Sequence, residues 1–500
     1  MYRFTYPAAL WDERKINKTL VRRLIDKHYS MQKPKIINYQ YYLGKHEILS
    51  RQRKDDAPNN RIVCNHAKDI ADTASGYFMG SPITYNGDLE QDINPLLVAF
   101  DKGGVDDVDA DNALDLSIFG LTYEYVYADR DGEPISKALS PLNTFVVYDD
   151  SIEENELFGV YYWAQKNDLT DQTYFVATVV TQNLKYALYL ESKPEYANAA
   201  NPLNNQLNRD DPFEYADEIP EEHYFGAIPI IEYLNNKEAI GDFEMQIPLI
   251  DAYNNLMSDR VNDKDQFIDS ILALYGTILG DTTEETKEAL ETLKKEKLLE
   301  LPIDAKAEYL TRQMDESGAE TLRTALKEDI YTFSHVPNLT DESFAGQASG
   351  VALEYKLLGL EMLTKTKERH YRQGLRKRIQ LYCNFLGLKQ IAIDAGSIVP
   401  TFTRALPKNL QELAGIVSML QNRVSERTLL NLLPFVEDPD GEIDAVRDQK
   451  AEAVQLQRDS FDIRPNTPPD FDEDEETDED GEMDGAEEKP PEKRNQSVRE

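Results

Sequence analysis

A few groups of residues in this 500-residue chain have the types and spacing that could do chemistry. Asp106, Asp107, Asp109 and Asp111 crowd their carboxylates into a stretch short enough to hold Ca²⁺ or Mg²⁺, although a surface loop or the acidic start of a helix is the plainer reading. In ETDEDGEMDGAE (Glu476 to Glu487), Asp478, Asp480, Gly481 and Glu487 fall at positions 3, 5, 6 and 12 of an EF-hand loop. Position 1 is Glu476 rather than Asp, and the flanks PPDFDE and KPPEK are not helical, so this stretch reads as a solvated acidic tail. His66 and Asp69 stand three apart with no recognisable third ligand, which favours helix packing. The other histidines (28, 46, 223, 335 and 370) are scattered. No GxxxxGK[ST] and no Gly-x-Ser-x-Gly occurs, so a P-loop ATPase is excluded on sequence. No catalytic residue, metal or cofactor is expected.

The remaining chemistry is charge. Lys365, Lys367, Arg369, Arg372, Arg376, Lys377 and Arg378 form a basic island in a chain whose net charge is −38. Three roles are open to it: pairing with an acidic surface of an adjacent subunit, which is the expectation, a solvated charged face, or contact with DNA. Residues 470–488 contain thirteen acidic residues and no Lys or Arg, and the rest of the chain stays acidic without them. Such a charge repels phosphates and disfavours non-specific binding to nucleic acid or anionic membrane. Cys64 and Cys383 cannot staple a chain this long and read as thiols in a reducing compartment. No apolar run approaches the length of a membrane span, and MYRFTYPAALWDERK lacks an apolar core of the signal-peptide kind, so the expectation is a soluble protein made in a cytoplasm.

The elements that would position these residues follow from periodicity. LVRRLIDKHYSMQKPKIINYQYYLGKHEIL is helical in pattern, as is RIVCNHAKDIADTASGYFMG, with Ile62, His66 and Ile70 in helical phase. LTYEYVYADRDGEPISKAL is a hairpin turning at Asp129-Arg-Asp-Gly, and TFVVYDD, LFGVYYWAQ, TYFVATVVT and KYALYLE read as further strands of the same sheet. From Pro248 to Leu272, Ile250, Tyr253, Met257, Val261, Ile268 and Leu272 hold helical periodicity, while Asp251, Asp259, Asp263, Asp265 and Asp269 make an acidic stripe. Residues 273–313 form a small module: strand ILALYGTILG, a helix opened by the capping box Thr282/Glu285, and strands KLLELP and KAEYLT. A helix follows to Pro337, then the loop NLTDESFAGQASG, then a long helix from about Ser349 to Leu386 that Gly350, Gly359 and Gly374 are expected to bend. TFTRALP returns to the sheet, three shorter helices follow, and the chain from Ser460 is too polar to fold. The pattern is a small α/β module clipped between two long amphipathic helices, and it suits a ring in which apolar faces meet neighbours and acidic faces line a channel.

The stretch GAIPIIEYLNNKEAIGDFEMQIPLIDAYNNLMSDRVNDKDQFIDSILALYG (Gly226 to Gly276) resembles the portal proteins of long-tailed phages of Gram-positive hosts. NHAKDIADTASGYFMGSPITY, SFAGQASGVALEYKLLGLE and FTRALPKNLQELAGIVSML agree with that family in order and spacing. The resemblance implies an α+β portal fold assembled as a cyclic ring. Its parts would be a wing (1–246), stem helix 1 (247–272), a clip (273–313), stem helix 2 (314–336) and a tunnel loop (337–350). A long kinked helix with the rest of the wing (351–408) and a helical crown (409–459) would follow, leaving 460–500 as a disordered acidic tail.

The implied function is a ring of twelve at one capsid vertex, the channel for DNA packaging and ejection. Implied partners are double-stranded DNA passing without sequence readout, the terminase large subunit, a head-completion or adaptor protein, and major capsid and scaffold proteins, with no membrane. The ring would sit in the virion and assemble in the host cytoplasm. Asp341, Glu342, Ser343, Phe344 and Gln347 of the tunnel loop would lie nearest the DNA, and Asp251, Asp259, Asp263, Asp265 and Asp269 are candidates for the stem's channel face. An acidic wall adds no phosphate contact, which lets DNA slide. Two alternatives stay open: another oligomeric head-tail adaptor, and a metal-dependent enzyme built on the acidic clusters.

Overall fold

The computed structural model describes residues 3–53, 58–87, 91–166, 173–191, 220–268, 271–275, 282–296, 306–310, 316–339, 350–404, 410–421, 423–430, 432–433, 436 and 439–461. The chain divides into two units, Met1–Pro407 and Lys408–Glu500.

The first unit begins with β1 (Phe4–Thr5) and the helices α1 (Lys18–Met31) and α2 (Lys33–Tyr42). Pro34 sits in the first turn of α2, which is why one helical pattern became two helices. Asn65 caps α3 (His66–Met79) by accepting from the Lys68 amide at 3.0 Å, so Ile62 lies outside the helix that its spacing had suggested. After β2 (Thr84–Asn86) come α4 (Asn94–Lys102) and α5 (Val105–Phe119). Asp106 and Asp107 occupy the first turn of α5, where carboxylates favour the helix dipole. Gly120 ends α5 at φ +77°, where a Cβ would run into the Ala239 carbonyl, so the site has no room for a side chain.

The strands are β3 (Leu121–Ala128), β4 (Pro134–Leu139), β5 (Thr144–Tyr148), β6 (Glu156–Lys166), β7 (Thr173–Val180), β8 (Leu184–Glu191), β9 (Glu221–Glu222) and β10 (Ile230–Leu234). The β3–β4 hairpin forms as expected, with Tyr125 opposite Lys137, and Asp129 Oδ1 closes its turn by accepting the amides of Asp131 and Glu133. It does not share a sheet with the strands that follow. β10 takes the other edge of β3, giving a three-stranded sheet β10-β3-β4, while the rest form a six-stranded sheet β1-β5-β6-β7-β8-β9. The two sheets share a core in which Tyr123 and Ile230 meet Val146, Tyr148 and Val180.

Next come α6 (Ile247–Ile268), β11 (Ile271–Tyr275), α7 (Thr283–Glu296), β12 (Lys306–Leu310), α8 (Glu316–Ser334) and α9 (Gly350–Leu388). β11 and β12 pair antiparallel, with Ile271 opposite Leu310, and Thr282 Oγ1 accepts the Glu285 amide at the start of α7. KLLELP lies outside the described residues. α9 is one continuous helix. Gly374 has a packing reason: a Cβ there would enter the ring of Tyr233, which stacks on Tyr371 with centroids 4.3 Å apart. β13 (Val399–Thr401) pairs with β2 in a separate two-stranded sheet; of TFTRALP, expected to return to the main sheet, only Thr401 is in a strand. The second unit contributes α10 (Leu410–Leu420), α11 (Glu426–Leu430) and α12 (Pro439–Phe461).

Candidate functional site

The basic island lies on α9, and the phase of the helix splits it. At about 100° per residue, Leu357, Leu360, Lys367, Tyr371, Leu375 and Arg378 share one side, and all are buried. Lys367 Nζ pairs with Asp242 and donates to Ser117 Oγ at 3.1 Å. Arg378, fully buried, forks onto two carboxylates: Nη1 reaches Asp109 Oδ2 at 2.9 Å and Nη2 reaches Glu124 Oε2 at 2.7 Å. Tyr233 and Ser136 donate to Glu124, and Tyr371 donates to Asp109. Burial pushes the Asp109 carboxyl up and Arg378 opposes that shift, as an interior charge requires a partner. Lys377 pairs with Glu156 and donates to the Ile230 carbonyl at 2.8 Å.

These three cations therefore hold α9 against α5, β3, β6 and the loop before α6 of the same subunit, and cannot serve a neighbour. This corrects the expectation for Lys367, Lys377 and Arg378. Arg372 lies over the Phe402 ring. Lys365, Arg369 and Arg376 point outward, with Lys365 making only a 3.6 Å pair to Glu361 of its own helix. Helical phase could have separated the two sets. So could the appearance of Asp109 and Asn112 at core positions of α5, since buried polar groups demand partners.

The acidic stripe of α6 is also put to internal use. Residues 58–65 run along α6 as a strap, and Asn254, Ser258 and Asn262, all fully buried, receive it. The amides of Cys64, Ile62 and Asn60 donate to Asn254 Oδ1 (2.8 Å), Ser258 Oγ (2.9 Å) and Asn262 Oδ1 (2.7 Å) in turn. The match is geometric: two extended residues advance about 6.6 Å and four helical residues about 6.0 Å, so alternate strap amides meet successive turns. Around this rail Tyr41 donates to Asp251 at 2.7 Å, Asn60 Nδ2 donates to Asp265 at 2.6 Å, and Arg51 and Arg53 pair with Asp259. Asp265 thus holds the strap and Asp251 holds α2, while Asp259, paired with Arg51 and Arg53, and Asp263 lie toward the outward side with Ala252 and Asn255. Asp269 is outside the described residues, as are Asp341, Glu342, Ser343, Phe344 and Gln347.

α6 and α8 pack antiparallel: Arg260 reaches Glu316 (3.2 Å) and Glu320 (2.9 Å), and one α-helical step further in, Arg323 donates to Tyr253. Arg323 and Arg260 pull the Glu320 carboxyl down to about 2. His66 sits where α3, α6 and α8 meet, its ring edge-on to Tyr253 and Tyr331 at centroid distances of 4.8 and 5.7 Å. Tyr331 donates to Asp69 at 2.6 Å, and burial pushes the His66 pKa down. Among the described residues no group of three or more His, Cys, Asp or Glu is placed to hold a metal ion. What the arrangement does is mechanical: it fixes a two-helix projection and a long helix onto a two-sheet body.

The chain matches the family model described as phage portal protein, SPP1 Gp6-like, over residues 22–456. It is 23% identical over 473 residues to the portal protein of Bacillus phage SPP1, covering 89% of this chain and 88% of that protein. It is also 23% identical over 425 residues to the portal protein of Clostridium phage phiCD119, covering 80% and 88%. A solved chain from the neck of an empty gene transfer agent particle matches with a TM-score of 0.41 at 10% identity, covering 75% of this chain and 88% of that one, a likeness too loose to carry an argument.

Proposed function

Because this chain belongs to the SPP1 Gp6-like family of phage portal proteins, we propose that twelve copies close into a ring at one capsid vertex and form the channel through which DNA is packaged and ejected. The observation that carries the reading is the projecting pair α6/α8, joined at its far end by the α7 module and locked to the body by the strap and by His66. A pair of helices that long leaves faces that a lone subunit cannot cover, and a closed ring covers them.

In this reading α6 and α8 are the stem, and the module from β11 to β12 is the clip that meets the terminase motor and later the head-completion protein. The body is the wing, 337–350 is the tunnel loop, with Asp341, Glu342, Ser343, Phe344 and Gln347 nearest the DNA, and the helices of 409–459 are the crown. The outward face of α6, with Ala252, Asn255, Asp259 and Asp263, is the one turned to the channel. The cations beside this face, Arg51 and Arg53, are already paired with Asp259, which leaves few to hold phosphates and lets DNA slide. Lys365, Arg369 and Arg376 face the adjacent subunit. The protein acts as structure and not as an enzyme, so packaging energy comes from the motor. Light scattering on the purified protein, with ATPase and nuclease assays on the same sample, tests this. A mass near twelve times the 57.2 kDa subunit and blank assays support it; a monomer with metal-dependent hydrolysis refutes it.

A further inference from the structure

Two outward helix faces of the first unit, on α9 and α8, are exposed and complementary. On α9, Tyr355, Leu358 and Met362 share one side with Lys365 and Arg369, within a band about 100° wide opposite the buried side. Tyr355 is 75% and Met362 65% exposed, unusual values for side chains of this size aligned in a row. On α8, Leu322 and Phe333 are eleven residues apart and so nearly in phase, and Asp329 lies between them on the same side. Phe333 is 61% exposed. One stripe is apolar with cations, the other apolar with an anion. No ion pair within the subunit uses Arg369 or Asp329 among the described residues.

We propose that these stripes are the two halves of one contact between copies: Tyr355, Leu358 and Met362 of one subunit pack around Phe333 of the next, and Asp329 faces Lys365 and Arg369. The inference rests on the ring reading and names its interface. A two-fold dimer would set a patch against itself, cation against cation. A head-to-tail contact sets two different patches together, which is what closes a ring. The spacing fits an antiparallel crossing: Phe333 lies about 6 Å along α8 from Asp329, and Met362 lies about 4.5 Å along α9 from Lys365. Desolvated between apolar side chains, the opposed charges fix register and exclude the reversed packing.

Charge exchange tests this on the full chain. Asp329→Arg, at an exposed position, should leave the circular dichroism spectrum unchanged and reduce the ring fraction by tenfold or more in light scattering. Adding Lys365→Asp and Arg369→Asp should restore it. As a second readout, Phe333→Cys with Leu358→Cys in one chain should give a ladder of covalent multimers with a short bismaleimide. Intact rings in Asp329→Arg, or rings lost without rescue and without a ladder, overturn the pairing while leaving the ring itself standing. A wild-type chain that forms no rings overturns the ring reading, and the pairing with it.

Discussion

Replacing Asn254 by Ala should free the strap while leaving α6 intact. Asn254 Oδ1 accepts the Cys64 amide at 2.8 Å and its Nδ2 faces His46 Nδ1 at 2.8 Å, in a site with no exposure. Truncation strands two buried groups, the amide and the imidazole nitrogen, at roughly 1–3 kcal/mol each. The expected local loss is therefore about 2–6 kcal/mol, while Ala itself is a good helix former at that position. Amide exchange reads this directly: at Cys64 and Ile62, opening becomes about 30-fold to about 20,000-fold easier, at about 1.4 kcal/mol per decade. Asn255→Ala is the matched control. Its side chain is exposed and its contact is a 3.4 Å bond from Arg51, so exchange should change by less than about threefold. Equal exchange at Cys64 in the two variants would refute the strap as the fastening of the stem.

Three other outcomes follow from the same contacts. Arg378→Met leaves Asp109 and Glu124 buried without their cation and should cost about 3–5 kcal/mol in urea unfolding, part of which Asp109→Asn in the same chain recovers. His28, packed against Phe4 and Phe145, has its pKa lowered from 6.5 to about 3, mainly by burial. The unfolded chain therefore takes up the proton first as pH falls. Stability is complete above about pH 6.5 and falls at up to about 1.4 kcal/mol per pH unit toward the folded pKa; His28→Asn should flatten that slope, and an unchanged slope contradicts the assignment. Gly374→Ala pushes a methyl group into the Tyr233 ring and should lower stability by about 1–3 kcal/mol, measured by thermal unfolding; a neutral result would mean that the ring can yield.

The sequence announced the elements with a strong single period: the β3–β4 hairpin, the strands from Thr144 to Glu191, α6, α8 and the start of α7. It did not announce α5, which is buried on most sides and so shows no amphipathic stripe, only an acidic first turn. The split into two sheets was illegible because a strand's alternation does not say which neighbour it takes, and β10 reaches β3 from more than a hundred residues away. The role of the acidic and basic clusters was half legible. Composition placed charge on α6 and α9, but only packing shows that Asp251 holds α2, that Asp265 holds the strap and that Lys367 and Arg378 point inward. Asn254, Ser258 and Asn262 carried a readable signal, three small polar residues one turn apart on an otherwise amphipathic helix, which is the spacing that an extended strand can follow.

The most direct test of the account is an electron micrograph of the purified protein in negative stain. The account predicts end-on rings with twelve-fold symmetry, a central hole wide enough for duplex DNA, and in side view a narrower stem below a broad wing. Compact particles without a central hole at high concentration, in a sample whose circular dichroism shows it folded, would contradict it.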